Sequence, residues 1–346
     1  MSYASLAPYG WNDRWVALFA SADPPPGAVP GRVVRHDSSA LLVAQPTTTC
    51  QVGLASTLPD VTVGDWVVVG ADTAVGLLAR LSLLRRLDPL GGREQLLAAN
   101  VDVVVIVAGL DRPVKDGRLQ RFATLAWDAG AVPVVVLSKA DLVDDAAVSG
   151  HRVAAANPGV EVVVTSARLD EGLDAVRAIV QERTVVVLGE SGAGKSTLIN
   201  ALAGESVTGT GRVRTGDAKG RHTTTFRQLH LLAGGGCVID TPGLRAVGLT
   251  GAPDAVRRTF ADVEQLAPEC RFRDCAHDGE PGCAVRASVD EGGLAPERLE
   301  AWRAMLREAR AADLRADERA RRQADRRFGR MAREAQRHKP RPSSNR

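Results

Sequence analysis

The chain has 346 residues, 45% of them hydrophobic, and a formal net charge of +3, which makes it too long for one core and predicts two or three domains. No segment approaches a membrane span, because Asp102 interrupts even the most apolar strand. There is no charged-then-apolar leader of the secretory kind, and the five cysteines are an odd number, so a disulfide-built secreted protein is not expected and a reducing cytoplasm is.

The charge is unevenly spread. Residues 301–346 hold 15 Lys/Arg against 6 Asp/Glu, whereas residues 1–300 hold 29 against 35. A basic carboxyl-terminal arm over 313–346 suits a polyanionic partner, nucleic acid before membrane, since it lacks the aromatic and leucine face of an interfacial helix. A merely solvated helix is the other reading.

Residues 1–29 show no periodicity up to Pro24-Pro25-Pro26-Gly27 and read as an irregular leader before a stiff boundary. Over 30–90 the segments GRVVRH, ALLVAQ, CQVGLA, DWVVVG and VGLLARLSLLRR, punctuated by Gly, Pro and Asp, predict five short strands and a small closed barrel of the OB-fold type, with an SH3-like barrel as alternative. Trp66 is the only aromatic residue among these strands, so shape or backbone contact with nucleic acid is expected there before base stacking.

Strands and helices alternate over 91–250, which predicts a parallel sheet. The strand Val101 to Val107 is followed by a helix over Gly117 to Ala129 and a strand over Val132 to Leu137 that ends in Ser138-Lys139-Ala140-Asp141. At the carboxyl end of a parallel strand, where ligands bind, this resembles the [N/T]-K-x-D motif of GTPases. A carboxylate at Asp141 accepts from guanine N1–H and the exocyclic amine, the Lys139 stem covers the base, and adenine cannot donate that pair. A turn with a helix cap at Asp141 is the competing explanation. A helix over Asp145 to Ala156 and a strand over Val160 to Val164 lead to Ser166-Ala167, similar to the S-A motif that supports the guanine carbonyl, and a helix over Leu173 to Gln181 comes next.

The stretch Thr184 to Asn200, TVVVLGESGAGKSTLIN, reads as strand, glycine loop, helix. It meets G-x-x-x-x-G-K-[ST], in which backbone amides from Gly189 through Glu190, Ser191, Gly192, Ala193, Gly194, Lys195, Ser196 and Thr197 cradle phosphates. Lys195 then reaches the β- and γ-phosphates, and the Ser196 hydroxyl ligates Mg²⁺. Gly204 to Gly220, rich in Gly, Thr and Arg, predicts a mobile segment, and it closes with RHTTT. Strands over Phe226 to Leu232 and Cys237 to Ile239 end in Asp240-Thr241-Pro242-Gly243, which matches D-x-x-G: Asp240 holds Mg²⁺ through water and the Gly243 amide senses the γ-phosphate.

Ordinary GTPases run phosphate loop, switch threonine, D-x-x-G, [N/T]-K-x-D, S-A; here the last two come first. A circular permutation preserves a pocket built from strand ends while moving the termini. The chain beyond Gly243 is then attached directly to the part that responds to the γ-phosphate. That continuation, 251–312, contains Cys270-x4-Cys275-Ala-His277-x5-Cys283, four ligands suited to one closed, structural zinc site. Flanking helices are expected over Ala255 to Leu266 and Pro296 to Ala312, while Cys50 and Cys237 read as small core hydrophobes.

A barrel, a permuted GTPase carrying GESGAGKS, RHTTT and DTPG, and a C-x4-C-x-H-x5-C unit together resemble the RsgA (YjeQ) family of small-subunit-dependent GTPases over about residues 30–310. The resemblance implies GTP hydrolysis to GDP and phosphate stimulated by the small (30S) ribosomal subunit, action late in that subunit's maturation, and contacts of barrel and zinc unit with 16S rRNA. It also implies a cytoplasmic monomer. After D-x-x-G this chain has Leu244 where Ras-like enzymes place glutamine, so water orientation falls to another group. His222, beside Thr223 to Thr225, is similar to a histidine implicated in the family; a solvent-facing histidine or one on RNA phosphate is the alternative. Thr224 is the candidate switch ligand. Two other classes remain open from sequence: an RNA-binding protein switched by GTP, and a signalling GTPase with a protein partner.

Overall fold

The computed structural model describes residues 3–37, 40–87, 94–208, 227–241, 248–250 and 253–337, with side chains described as far as 318. His222, Thr224 and Gly243 therefore lie outside the described residues, as does most of the segment Gly204 to Gly220.

The amino-terminal leader is not irregular. A short 3-10 helix over Ala4–Tyr9 precedes α1 (Asp13–Ser21), whose first turn is capped by the Asn12 side chain accepting from the Arg14 amide at 3.2 Å. Trp11, Trp15 and Phe19 recur every fourth residue, so they share one side of the segment. All three are buried, and Trp11 and Trp15 pack on Trp66 with ring centroids 4.8 and 5.7 Å apart. The stripe is only three residues long, straddles the helix start, and has its partner surface on a distant strand.

Strands β1 (Val29–Asp37), β2 (Ala40–Ala44), β3 (Thr49–Leu54), β4 (Trp66–Gly70) and β5 (Thr73–Leu77) form the order β1-β2-β3-β5-β4, closed by pairing of β4 with β1. This is the closed five-stranded barrel expected for an OB-fold. Val33, Leu41, Val43, Val52, Val67 and Val69 fill its interior, while Trp66 and Val68 point the other way, towards the leader. Gly31 permits the closure: a Cβ there would sit 2.3 Å from Val43 Cγ1.

The last expected barrel segment divides in two. β5 stops at Leu77, and β6 (Leu83–Leu87) pairs antiparallel with β7 (Glu94–Ala99) as a separate ribbon. The Arg80–Asp65 ion pair at 2.7 Å ties off the barrel, and the Leu81 amide donates to Asn100 Oδ1 at 2.9 Å, turning the chain into the ribbon.

The central sheet comprises β8 (Val103–Gly109), β9 (Val132–Ser138), β10 (Glu161–Val164), β11 (Thr184–Gly189), β12 (Gln228–Leu231) and β13 (Cys237–Asp240), in the order β10-β9-β8-β11-β13-β12. All pairings are parallel except that of β12 with β13. β12 also meets β1 at Gln228 and Arg35, which joins barrel and sheet. Helices α2 (Asp116–Ala129) and α3 (Ala146–Ala156) pack with Val104, Ile106, Val135 and Leu137 on one face. Helices α4 (Leu173–Val180) and α5 (Lys195–Ala203) pack with Val103, Val105, Val134 and Val136 on the other. Both faces are covered, which is why these strands are continuously apolar.

The carboxyl-terminal unit contains α6 (Pro253–Thr259), α7 (Ala261–Leu266), α8 (Ala284–Asp290) and α9 (Pro296–Arg337). The single helix expected over Ala255 to Leu266 is broken at Phe260, whose fully buried ring lies under the Arg298 guanidinium at 4.6 Å. Arg298 also bonds Asp262 and the carbonyls of Thr259 and Ala156, anchoring the break to the GTPase side. The helix expected to stop at Ala312 continues for 42 residues in all, so the proposed arm begins inside α9. Its Ala, Arg, Glu and Gln are good helix formers and carry it past the last core contact among the described side chains; Leu314 is already exposed. No helix among the described residues is long and apolar enough to cross a membrane.

Candidate nucleotide site and metal cluster

Because β9, β10, β11 and β13 are parallel, Ser138, Val164, Gly189 and Asp240 all lie at their carboxyl ends, along one edge of the sheet. Four motifs separated in sequence are thereby brought into one row.

The phosphate loop turns at Gly189, φ 150°, where a Cβ would lie 2.3 Å from the Val107 carbonyl oxygen, and enters α5 through Gly194, φ 91°. Ser191, Gly192 and Thr197 are exposed, Ala193 is buried, and Ser196 is half-buried. Lys195 Nζ donates to the carbonyls of Gly189 and Glu190 at 3.0 and 2.7 Å, so it lies over the loop's opening. Burial lowers its pKa, while Asp240 acts in the opposite direction. Burial likewise raises the Asp240 carboxyl against the pull of His230 and Lys195. Neither the Asp240 carboxylate nor the Ser196 hydroxyl bonds another described residue, which leaves a carboxylate and a hydroxyl beside the loop, a donor set that fits Mg²⁺.

The guanine-type residues are bonded directly to that loop. Ser138 Oγ donates to the Ala193 carbonyl at 2.6 Å, and Lys139 Nζ donates to the Gly192 carbonyl at 2.6 Å. Serine in place of the commoner asparagine or threonine still makes the bridge, because Gly194 brings the loop close: a Cβ on Gly194 would be 3.2 Å from Ser138 Oγ. The Ala140 amide donates to the Thr165 carbonyl at 3.1 Å, and Ser166 Oγ donates to Asp141 Oδ1 at 2.7 Å. Ser166 thus orients the carboxylate with its side chain, and Ala167 packs beneath on the α4–α5 side.

Other residues brace the site. Asp111, at the end of β8, pairs with Lys139 at 2.8 Å and with Arg112 at 3.0 Å, and the bonds from Arg112 and Lys139 hold its carboxyl down at about 2. Glu190 faces Arg118 of α2, with Arg112 at 3.9 Å, and so turns away from the loop's opening. Thr208 Oγ1 donates to the Ser196 carbonyl at 3.2 Å, and Thr241 Oγ1 to the Val187 carbonyl at 3.0 Å. The position of Asp111 at a strand end was the available sequence signal.

Beyond the second switch, residues 248–250 are held on three sides. The Leu87 amide donates to the Gly248 carbonyl at 3.3 Å, the Leu249 amide to Glu308 of α9 at 3.2 Å, and Thr250 Oγ1 to Asp128 of α2 at 2.5 Å. Glu308 also pairs with Arg121 of α2 at 2.7 Å.

In the carboxyl-terminal unit, Cys270, Cys275, His277 and Cys283 present ligand atoms that all lie within 4.8 Å of one another. His277 Nδ1 is 3.5 Å from Cys270 Sγ and 3.4 Å from Cys283 Sγ, and the two sulfurs are 3.9 Å apart. Tetrahedral zinc with ordinary bond lengths requires edges of about 3.5–3.8 Å, so the set fits. The His277 ring lies tilted against Trp302, with centroids 5.3 Å apart, and Trp302 Nε1 donates to Glu264 at 3.0 Å. Cys50 and the buried Cys237 stand apart from this cluster.

The family model described as RsgA GTPase matches residues 77–250. The chain is 44% identical to the small ribosomal subunit biogenesis GTPase RsgA of Streptomyces coelicolor, over 92% of this chain and 91% of that one. The chain belongs to the RsgA GTPase family. It is accordingly a GTP hydrolase, and the Streptomyces avermitilis protein of the same name is 46% identical over 88% of this chain and 85% of its own. Among solved structures, YjeQ from Thermotoga maritima is 26% identical, covers 82% of this chain and 98% of its own, and superposes with a TM-score of 0.60. YloQ, described as a circularly permuted GTPase, shares the fold at 23% identity and a TM-score of 0.58. Membership in the RsgA family agrees with the order of motifs, in which S-K-A-D precedes the phosphate loop in the chain and faces it in space.

Proposed function

We propose that this chain binds the small ribosomal subunit and assists its late maturation, hydrolysing GTP to GDP and phosphate with turnover stimulated by that subunit. The observation that carries the reading is the bonding of Ser138 and Lys139 to the phosphate-loop carbonyls of Ala193 and Gly192, with Asp141 oriented beside them by Ser166. A base acceptor and a phosphate cradle are thereby set in one rigid frame. The names of the Streptomyces relatives support the ribosomal partner.

Phosphoryl transfer needs positioning and charge neutralisation more than covalent chemistry. Asp141 accepts the guanine edge, the loop amides from Gly189 to Thr197 hold the phosphates, and Lys195 exchanges its two carbonyl partners for phosphate oxygens. Mg²⁺ would supply further neutralisation when bound, with Ser196 and Asp240 placed to hold it. Thr224 and Gly243 complete the assignment as switch ligand and γ-phosphate amide, and His222 orients the attacking water. His222→Ala should keep GTP affinity and lose subunit-stimulated turnover; unchanged turnover with subunits present would remove that role. One structural zinc closes the Cys270, Cys275, His277 and Cys283 site, and the barrel, the zinc unit and the basic part of α9 supply contacts to 16S rRNA.

The test is phosphate release from GTP by the purified chain alone, with small subunits and with large subunits. Small subunits should raise turnover by about tenfold or more, the direction in which a partner that completes a GTPase site acts. Equal rates in all three conditions would refute the proposed partner.

A further inference from the structure

At the opposite end of the sheet from the nucleotide site, a cleft of about 610 Å³ lies between the leader, the barrel and the amino ends of β11 and β13. That volume is within the roughly 300–1,000 Å³ of small-molecule sites, and a junction of structural units is a usual place for one. Arg32 of β1 lines it and is only 1% exposed. Its Nη2 donates to Thr184 Oγ1 at 3.2 Å and to the Asn100 carbonyl at 3.4 Å, whereas its buried Nε has no partner. Its Nη1 likewise bonds no described residue.

A guanidinium cannot shed its charge, and a buried charge without a counter-ion costs several kcal/mol. Among the described residues Arg32 forms no ion pair. Asp65 and Asp102 lie near enough to favour the charge in part, but Asp65 is committed to Arg80 and Asp102 accepts from the Thr184 amide, so neither bonds it. The Trp66 ring, 5.0 Å from the guanidinium carbon, offers a cation–π contact that offsets part of this cost. Such a site calls for an anion.

We infer that this cleft binds a small oxyanion, a carboxylate or a phosphate, that also carries a hydrogen-bond donor. Arg32 takes the anionic group, with Arg183 at the rim adding charge. The carboxylates of Asp102 and Glu182, on the same lining, accept from the ligand's donor and disfavour a bare anion. Trp11 and Trp15 supply the apolar wall. Because Arg32 is so deeply buried, the ligand is a small molecule and not the backbone of a polymer.

The experiment uses the full, zinc-loaded chain saturated with GDP and Mg²⁺, so that the phosphate loop is not a competing site. Inorganic phosphate, acetate and glycine are titrated separately while the indole N–H signals are followed by NMR. Trp11 and Trp15 should shift saturably with phosphate or glycine and less with acetate, while Trp127 and Trp302 stay in place as internal references. Saturation by phosphate assigns a phosphate ester, and saturation by glycine a carboxylate of the amino-acid kind. Arg32→Gln should weaken the response about tenfold or more, as for loss of hydrogen bonds to a charged group, and Arg183→Gln by a smaller factor. If Arg32→Gln no longer binds GDP, Arg183→Gln decides. No saturable shift with any probe, or an affinity unchanged in the variants that fold, overturns the inference.

Discussion

Asp141→Asn is expected to cost GTP about a hundredfold or more in affinity while making xanthosine triphosphate the better ligand. Guanine offers two donors, N1–H and the 2-amino group, and a carboxylate offers an acceptor to each. Asparagine turns one acceptor into a donor, which faces the guanine amine with nothing to accept its proton. Two charge-assisted hydrogen bonds at about 1.5–3 kcal/mol apiece are weakened together, and a site built around such donors rejects a mismatch strongly. Xanthine carries an oxygen where guanine carries the amine, so the new amide donates to it. Ser166 should keep the side chain oriented, since Oδ1 remains an acceptor. Competition between GDP and xanthosine diphosphate for the purified variant reads the result. Retention of GDP at the original affinity would show that Asp141 does not read the base.

Zinc removal is expected to collapse the loop over residues 266–290 without abolishing nucleotide binding. The metal-ligating segment has little regular structure of its own: a 3-10 turn at Ala267–Glu269, then turns and bends until α8. Structural zinc supplies about 10–16 kcal/mol in small domains built this way, more than this segment can replace from its few buried side chains. Cys283→Ser should act in the same way, and as a loss of the metal alone, because a serine hydroxyl can still accept from the Arg286 amide at the start of α8 as the Cys283 sulfur does at 3.4 Å. The outer helices should survive in part, since Thr259 meets Thr124 of α2 at 2.8 Å and Arg298 reaches the Ala156 carbonyl. Zinc content together with hydrogen exchange across 266–290 measures this. A Cys283→Ser protein that retains one zinc per chain and full protection would end the structural role.

The clasp at 248–250 gives physical form to the consequence of permutation. In this chain the residues that leave the second switch are bonded to the β6–β7 ribbon, to α2 and to α9 within three positions. Glu308 joins two of these partners, the Leu249 amide and Arg121. Leu249 itself is buried in the core of the zinc unit. Gly248, Leu249 and Thr250 are thus fastened to the ribbon, to α9 and to α2 in successive positions, and Glu308 joins α9 to α2 beside them.

Much of the nucleotide site was legible because its chemistry demands particular residues at fixed spacing. Glycines where backbone must approach phosphate, a lysine and a hydroxyl after them, and a lysine and carboxylate at a strand end can be read one motif at a time. The zinc ligands are legible for the same reason. Asp111, Arg112 and Arg118 were not, because their work is to hold Lys139 and Glu190 in place, and many residue types at many positions could do that.

From the amino-acid order alone came the alternating strands and helices, the permuted run of motifs, the four metal ligands and the family they resemble, since each depends on local periodicity or short spacing. Only the folded chain decided that the leader is a helix seated on Trp66, that the fifth barrel segment splits into strand and ribbon, that the helix near Phe260 breaks, and that Arg32 is buried beside a cleft. Each of those outcomes is set by a partner outside the segment itself, and burial against such a partner outweighs the weak local preferences that a short segment expresses.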